Sequence, residues 1–141
     1  MSETASKTIR VASISVANHL PFVLFGGMNV LESEAMAIDI AGHYVEVCTE
    51  LNIPYIFKGS FDKANRSSVN SKRGVGIDMG LKILEKVKND LDIPVLTDVH
   101  EYTPFDEVAD VVDVLQTPAF LCRQTDFILK VCSINKPVNI K

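Results

Sequence analysis

The feature that most constrains this chain is a regular alternation of short β-rich runs with amphipathic helical stretches. Ile38, Ala41, Val45 and Cys48 recur at three- and four-residue steps, as the apolar residues of a helix do. Strands separated by helices predict βαβ units with right-handed crossovers and a parallel sheet. Such a sheet closes into a barrel or stays open, and no G-x-G-x-x-G motif follows the first strand to favour an open dinucleotide-binding fold.

The predicted elements run in one order along the chain. A hairpin strand over residues 9–16 and a turn at 18–21 precede the first barrel strand, 22–25, which Gly26 and Gly27 are expected to end. A first helix begins at about Ser33, and a second follows the polar loop that ends at Gly76. The other predicted strands cover 55–58, 94–99, 111–115 and 138–141, and the other helices 103–109 and 124–133.

Length decides how much of a barrel this pattern supplies. A complete (β/α)8 barrel takes about 250 residues, and this chain has 141. We therefore predict the amino-terminal half of a single TIM-barrel domain, of about four and a half β/α units behind an N-terminal β-hairpin. Residues 1–10 are predicted to be a polar tail and 11–141 a partial barrel that stops inside its fold.

Composition excludes several classes of partner. The formal net charge is −4 and the pI about 5.3, so no basic field attracts nucleic acid or anionic lipid. No stretch approaches the ~20 apolar residues of a membrane span, and the polar start lacks the apolar core of a secretory signal. Three cysteines at no metal-ligand spacing indicate a reducing compartment. We expect a cytoplasmic protein that binds neither membrane nor nucleic acid.

Polar side chains follow each predicted barrel strand, where the active sites of β/α barrels lie. Lys58 and Ser60 are two residues apart, as are Asp98 and His100, so each pair is predicted to share one face of an extended strand. Taken singly, a loop lysine is usually a solvated charge and Asp98 could cap a turn. Together, cations and amides at one mouth suit a small substrate with phosphate groups. The candidates are Asn29, Lys58, Ser60, Lys63, Asn65, Arg66, Ser67, Asp98, His100, Gln116 and Lys141.

Ordered, motif-sized matches run from about residue 11 to the last residue. The chain resembles the 3-deoxy-D-manno-octulosonate-8-phosphate synthases, and the Lys63–Ser68 string is the most specific match. The segments that carry the resemblance are FVLFGGMNVLES (22–33), KGSFDKANRSS (58–68), TDVHE (97–101), QTPAFLCRQTD (116–126) and VNIK (138–141).

That resemblance implies a condensation of phosphoenolpyruvate with arabinose 5-phosphate in lipopolysaccharide (Kdo) biosynthesis. Lys58, Ser60 and Lys63 would hold the phosphoenolpyruvate carboxylate and the reacting region, and Gln116 and Lys141 its phosphate. Arabinose 5-phosphate would be bound by Asn65, Arg66 and Ser67, and by Arg123 across a subunit interface of a homotetramer. Asp98 and His100 would line the centre, where they position water or shuttle protons.

Two residues of this chain depart from the pattern of the family that it resembles. Asn29 stands where the metal-dependent branch has a cysteine ligand, so we predict the metal-independent branch and no cofactor. Gly59 stands where alanine is expected and would loosen the second strand. Because the family's second half is absent, the isolated chain is expected to be inactive and prone to aggregate or to pair with a copy.

Two alternatives remain beside this interpretation. The sister synthase that uses erythrose 4-phosphate shares the barrel, but its second-loop string is typically Lys-Pro-Arg-Thr/Ser rather than the 63–67 sequence found here. The other alternative is a non-catalytic remnant that binds phosphorylated ligands or serves only in subunit contacts.

Overall fold

The computed structural model describes residues 7–141. Over that range no helix is long and apolar enough to cross a membrane. A short hairpin comes first, and from β3 onward strands and helices alternate. The elements are β1 (Ile9–Val11), β2 (Ile14–Val16), β3 (Leu24–Met28), α1 (Glu34–Glu50), β4 (Tyr55–Gly59), α2 (Ile77–Leu91), β5 (Val95–Asp98), α3 (Phe105–Val111), β6 (Val114–Thr117), α4 (Thr125–Cys132) and β7 (Val138–Ile140).

The main sheet contains β3, β4, β5, β6 and β7 in chain order, and every neighbouring pair is parallel. A helix connects each strand to the next, which is the arrangement of successive units in a (β/α)8 barrel. The predicted fold class, a partial barrel behind an antiparallel hairpin, is therefore confirmed. Strands β3 and β7 form the two edges of this sheet.

The amino-terminal elements differ in detail from the prediction. The run 9–16 is not one strand of a hairpin but both, turning at Ala12, whose φ is 50°. Two residues of the predicted polar tail, Ile9 and Arg10, belong to β1, and residues 1–6 of that tail lie outside the described range.

The first barrel strand begins and ends later than predicted, and Gly26 and Gly27 lie inside it rather than ending it. The reason is close packing. A Cβ at Gly26 would lie 2.9 Å from the Tyr44 ring, and one at Gly27 would lie 2.2 Å from the Lys58 carbonyl oxygen. Glycine thus lets β3 pack against α1 at position 26 and pair with β4 at position 27, and the two residues do not signal a turn here.

The ends of the helices follow local hydrogen bonding. Helix α1 begins where predicted, because Ser33 Oγ accepts the Met36 amide at 3.2 Å as an N-cap. Helix α3 begins two residues later than predicted, since Thr103 is held in a turn in which its Oγ1 accepts the His100 amide at 2.8 Å. The predicted start of β6, at residue 111, is instead the last residue of α3, and β6 begins at Val114.

Side chains alternate between the two faces of the sheet, and this alternation positions the polar residues. Phe57, Val95 and Leu115 are fully buried in the core cluster that includes residues of the helices. On the opposite face, Ile56, Leu96 and Val114 pack with Val11 of the hairpin in a second apolar cluster. Two residues further along the same strands, on the same face, the side chains become polar. The hairpin therefore closes an apolar floor beneath the polar residues Lys58, Asp98 and Gln116.

The expectation that Gly59 loosens its strand stays a prediction, but the space beside this glycine is filled. Leu31 is fully buried, and its Cδ2 would lie 2.6 Å from a Cβ at Gly59. The Leu31 side chain therefore occupies the space that an alanine methyl group would take.

Removing one buried hydroxyl, that of Thr117, is expected to stabilise the fold. Thr117 is 0% exposed, and within residues 7–141 its Oγ1 has no hydrogen-bond partner. We expect Thr117→Val to raise the free energy of unfolding by about 1 kcal/mol, because a buried hydroxyl without a partner is destabilising. Urea denaturation of a completed barrel that contains residues 1–141 measures the change. Thr97→Val is the matched control and should be destabilising, since Thr97 Oγ1 donates to the Gly59 carbonyl at 2.8 Å. Equal effects of the two substitutions would contradict the prediction.

Candidate active site

Lys58 extends from the end of β4 and is held by three acceptors. Its Nζ donates to the carbonyls of Met28 and Asn29 at 3.2 and 3.1 Å and to Ser60 Oγ at 2.7 Å. The two carbonyls belong to the end of β3 and the residue after it. Three donated bonds satisfy an ammonium group and fix its direction. The lysine therefore joins the ends of two strands at one point.

Asp98 lies at the end of β5 and continues this network. Its Oδ2 accepts the Ser60 hydroxyl at 2.6 Å and is 3.9 Å from Lys58 Nζ. Its Oδ1 accepts from Gln116 Nε2, and Gln116 Oε1 accepts from Asn139 Nδ2 at 2.7 Å. Ser60 is 0% exposed and Gln116 6%, so these partners replace water as the hydrogen-bonding environment. One chain of hydrogen bonds thus runs across β5, β6 and β7 and reaches Lys58 through Ser60.

This network borders a cavity of about 320 Å³ at the carboxyl ends of the strands. Lys63 adjoins it, because its Nζ donates to Asn29 Oδ1. Five sequence-predicted residues therefore meet at this cavity, and three of them are lysines. These residues are Asn29, Lys58, Lys63, Gln116 and Lys141. The cavity is lined by Phe25, Gly26, Gly27, Met28, Asn29, Lys58, Gln116, Asn139 and Lys141.

The pKa of Lys58 depends on burial and on the charges near it. Burial lowers the pKa of Lys58 below its ordinary value, the nearby Asp98 carboxylate raises it, and Lys63 and Lys141 lower it further. Burial without enough negative charge favours the neutral amine. An anion in the cavity would supply that charge and raise the pKa again, so the site is electrostatically suited to bind anions.

The loop from Ser60 to Gly76 is closed at its base by an ion pair. Arg73 donates to both carboxylate oxygens of Asp62, at 2.7 and 2.6 Å, and the Lys63 amide donates to the Arg73 carbonyl at 2.6 Å. The hydrogen bond from Arg73 holds the pKa of Asp62 below its usual value, with burial opposing it. Gly74 has φ of 127°, and a Cβ there would meet the Phe61 carbonyl. The base of the loop thus holds the backbone of Lys63, four residues after the end of β4.

The loop residues predicted to bind the second substrate do not line the cavity. Arg66 donates to the carbonyls of Ala64 and Val69 at 3.2 and 3.3 Å, and its Nε is buried without a partner within the described part of the chain. Asn65 and Ser67 are exposed. The guanidinium is thus bound by its own loop, and a phosphate would have to exchange for those carbonyls.

His100 and Asp98, predicted to share one face, lie in different environments. Strand β5 ends at Asp98, and the turn at His100 interrupts the two-residue alternation. His100 lines a separate cavity of about 440 Å³ with Asp62 and Arg73, and its ring stacks on Phe120 at 6.2 Å between centroids. Burial lowers its pKa, and the carboxylates of Asp62 and Asp98 oppose that effect. Its role in the centre stays a prediction.

Arg123, predicted to act across a subunit interface, is exposed in the turn before α4 and does not line the cavity. Sequence reasoning missed Asn139, which borders the cavity and bonds to Gln116. The signal was available, because Asn139 precedes Lys141 by two residues and both lie in the predicted strand 138–141, where such residues share one face. The Asp62–Arg73 pair was also missed, and no local pattern indicates it across eleven residues.

Side chains of the kinds that bind metal ions are spread over the sheet and helices. Among residues 7–141, no group of three or more His, Cys, Asp or Glu side chains is arranged to hold a metal ion. At the position where a cysteine ligand would stand in the metal-dependent branch, the Asn29 amide oxygen accepts a hydrogen bond from the Lys63 ammonium.

Comparison with known proteins gives consistent matches. Residues 3–141 match the DAHP synthetase I family. The chain is 62% identical over 133 residues to a protein of Francisella tularensis subsp. novicida named 2-dehydro-3-deoxyphosphooctonate aldolase. Proteins of the same name from Francisella philomiragia and Legionella pneumophila are 61% and 59% identical over 133 residues. These alignments cover 94% of this chain and 48% of each relative, so the chain spans about half the length of the curated relatives it matches.

Proposed function

The chain belongs to the DAHP synthetase I family, and from this premise we propose that it supplies one half of an active site that condenses phosphoenolpyruvate with arabinose 5-phosphate. Carbon 3 of phosphoenolpyruvate bonds to the aldehyde carbon, water adds at carbon 2, and the bond from carbon 2 to the phosphate oxygen breaks. The products are 3-deoxy-D-manno-octulosonate 8-phosphate and inorganic phosphate. The observation that carries the proposal is the convergence of Lys58, Lys63 and Lys141 around one cavity with Gln116 and Asn29.

Phosphoenolpyruvate would occupy this cavity. A carboxylate with a phosphate carries about three negative charges near neutral pH, and the three lysines match that number. Lys58, Lys63 and Ser60 would bind the carboxylate and the reacting carbonyl region, with Lys58 and Ser60 exchanging part of their present hydrogen bonds for substrate contacts. Gln116 and Lys141 would bind the phosphate. Neutralising the substrate lets its carbon 3 approach a second phosphorylated compound. Holding both reactants adjacent can contribute roughly 7–11 kcal/mol to lowering the barrier.

Arabinose 5-phosphate would be bound by the loop that follows β4. Asn65 and Ser67 are exposed and can meet sugar hydroxyls, and the fork of the Arg66 guanidinium suits a terminal phosphate. In this proposal the loop exchanges the carbonyl contacts of Arg66 for phosphate contacts on binding. Arg123 of a neighbouring copy completes the phosphate site in a homotetramer, and its exposure in the turn before α4 agrees with such a role.

Asp98 is proposed to position water or transfer a proton at the centre, since it is the carboxylate that pairs with Lys58. His100 would reach that centre only after a rearrangement of the turn in which its backbone amide bonds to Thr103.

We further propose that the reaction needs no metal, because Asn29 offers an amide oxygen already bonded to an ammonium group. Activity of the complete enzyme that is lost with a chelator and restored by a divalent ion would contradict this. The protein is proposed to act in the cytoplasm.

The sister synthase that uses erythrose 4-phosphate is a second candidate with the same type of condensation. The names of the Francisella and Legionella relatives favour the octulosonate product over it. A non-catalytic remnant is disfavoured, because the hydrogen-bonded network around Asp98 is intact.

The test uses a chimera in which residues 1–141 are joined to the remaining half of the Francisella tularensis subsp. novicida relative. Phosphate release from phosphoenolpyruvate is measured with arabinose 5-phosphate, with erythrose 4-phosphate and with neither. The proposal predicts release with arabinose 5-phosphate only. Release with erythrose 4-phosphate alone would identify the sister reaction, and a folded chimera that releases phosphate with neither would overturn the proposal.

A further inference from the structure

Asn139 is the last member of the part-buried hydrogen-bond chain, and the direction of its bond follows from the carboxylate of Asp98. A carboxylate only accepts hydrogen bonds, so Asp98 requires the amide nitrogen of Gln116 to face it. The oxygen of the Gln116 amide must then face away, towards β7. There it meets Asn139 Nδ2, which donates at 2.7 Å.

Only a donor at position 139 satisfies this arrangement. If residue 139 were an acceptor, the Gln116 amide would turn its nitrogen towards β7 and its oxygen towards Asp98. Two oxygens would then face each other in a site where Gln116 is 6% exposed, which is unfavourable without water. Asp98 would keep only Ser60 and the more distant ammonium of Lys58, at 2.6 and 3.9 Å.

We propose that Asn139 is a positioning residue whose amide donor holds the Gln116 oxygen and thereby keeps the Gln116 nitrogen on the Asp98 carboxylate. The inference rests on the proposed function, because Gln116 and Asp98 are the residues of the proposed reaction that Asn139 would position. Asn139 acts through Gln116 and Asp98. Its loss should therefore affect turnover more than the binding of arabinose 5-phosphate.

The first variant is Asn139→Asp in the chimera, which keeps the shape and replaces the donor by an acceptor. We expect kcat to fall roughly 10- to 100-fold, the range that the loss of one or two buried hydrogen bonds produces. The KM for arabinose 5-phosphate should change by less than about twofold, since its proposed site lies on the loop after β4. Asn89→Asp is the control, as it adds the same charge at an exposed position of α2.

The second variant, Asp98→Asn with Asn139→Asp, reverses the chain of hydrogen bonds. The new amide at position 98 would donate to Gln116 and accept from Ser60, and the new carboxylate at position 139 would accept from Gln116. We expect this double variant to recover most of the thermal stability that Asn139→Asp loses, while kcat stays low because the charge lies on the wrong strand.

The outcomes separate the inference from the proposed function. An active chimera whose turnover is unchanged by Asn139→Asp would overturn the inference and leave the function intact. Recovery of activity in parallel with stability in the double variant would also overturn it, since Asn139 would then have only a structural role. A folded chimera with Asn139 in place that releases no phosphate would overturn the function itself.

Discussion

The 141-residue chain alone is expected to release no phosphate from phosphoenolpyruvate, with or without arabinose 5-phosphate. Strands β3 and β7 each have an edge without a neighbouring strand in the described part of the chain, and exposed edges of a parallel sheet promote association rather than a fixed site. The cavity is lined by residues of both edge strands, β3 and β7, and of β4 and β6 between them. The chain also spans only 48% of the relatives' length.

Phosphate release by equal amounts of the chain and of the chimera provides the measurement. We expect the chimera to be at least about 10,000-fold faster, since proximity and electrostatic stabilisation both require an assembled site. Size-exclusion chromatography should show that the isolated chain forms multimers or aggregates. Release by the chain alone that depends on arabinose 5-phosphate would contradict the prediction.

The second large effect is expected from Lys58→Met in the chimera. Methionine retains the length and packing of the lysine stem but removes the ammonium group that contacts Met28, Asn29 and Ser60. It also removes the cation beside Asp98. We expect kcat/KM to fall by about 1,000-fold or more, because a preorganised charge at the reacting group is lost.

The control for this substitution is Lys82→Met, at an exposed position of α2. It removes the same charge from the protein and should leave kcat/KM within about twofold of the unchanged chimera. Steady-state phosphate release measures both variants. A Lys58→Met chimera that stays folded and retains more than about a tenth of the activity would show that the cavity is not the reaction centre.

Local patterns predicted those parts of the fold that local physics decides. Ser33 begins α1 because a side-chain oxygen before an amphipathic stretch caps a helix wherever it occurs. Lys58, Asp98 and Gln116 meet because each lies near the end of a strand of one parallel sheet, and the order of the strands follows from the alternation of elements. The fold class and the central part of the site were therefore predictable from the sequence.

Tertiary contacts decided what the sequence could not predict. Gly26 and Gly27 were expected to end a strand, but the Tyr44 ring and the Lys58 carbonyl require glycine inside it. His100 was expected beside Asp98, but the hydrogen bond of its amide to Thr103 turns the chain there. The conformation of the Arg66 guanidinium depends on carbonyls of its own loop, whose shape follows from an ion pair eleven residues apart.

The central claim is that Lys58 lies in a cavity built for a phosphorylated anion, and proton uptake on binding tests it most directly. Burial lowers the pKa of Lys58 from its ordinary value, so the neutral amine is more favoured in the empty cavity than in an exposed lysine. A bound anion favours the charged form and raises the pKa, so protons must be taken up. Calorimetric titration of the chimera with phosphoenolpyruvate, in two buffers of different ionisation enthalpy, measures that uptake. We predict proton uptake that disappears in Lys58→Met, whereas binding without uptake, or uptake unchanged in that variant, would contradict the account.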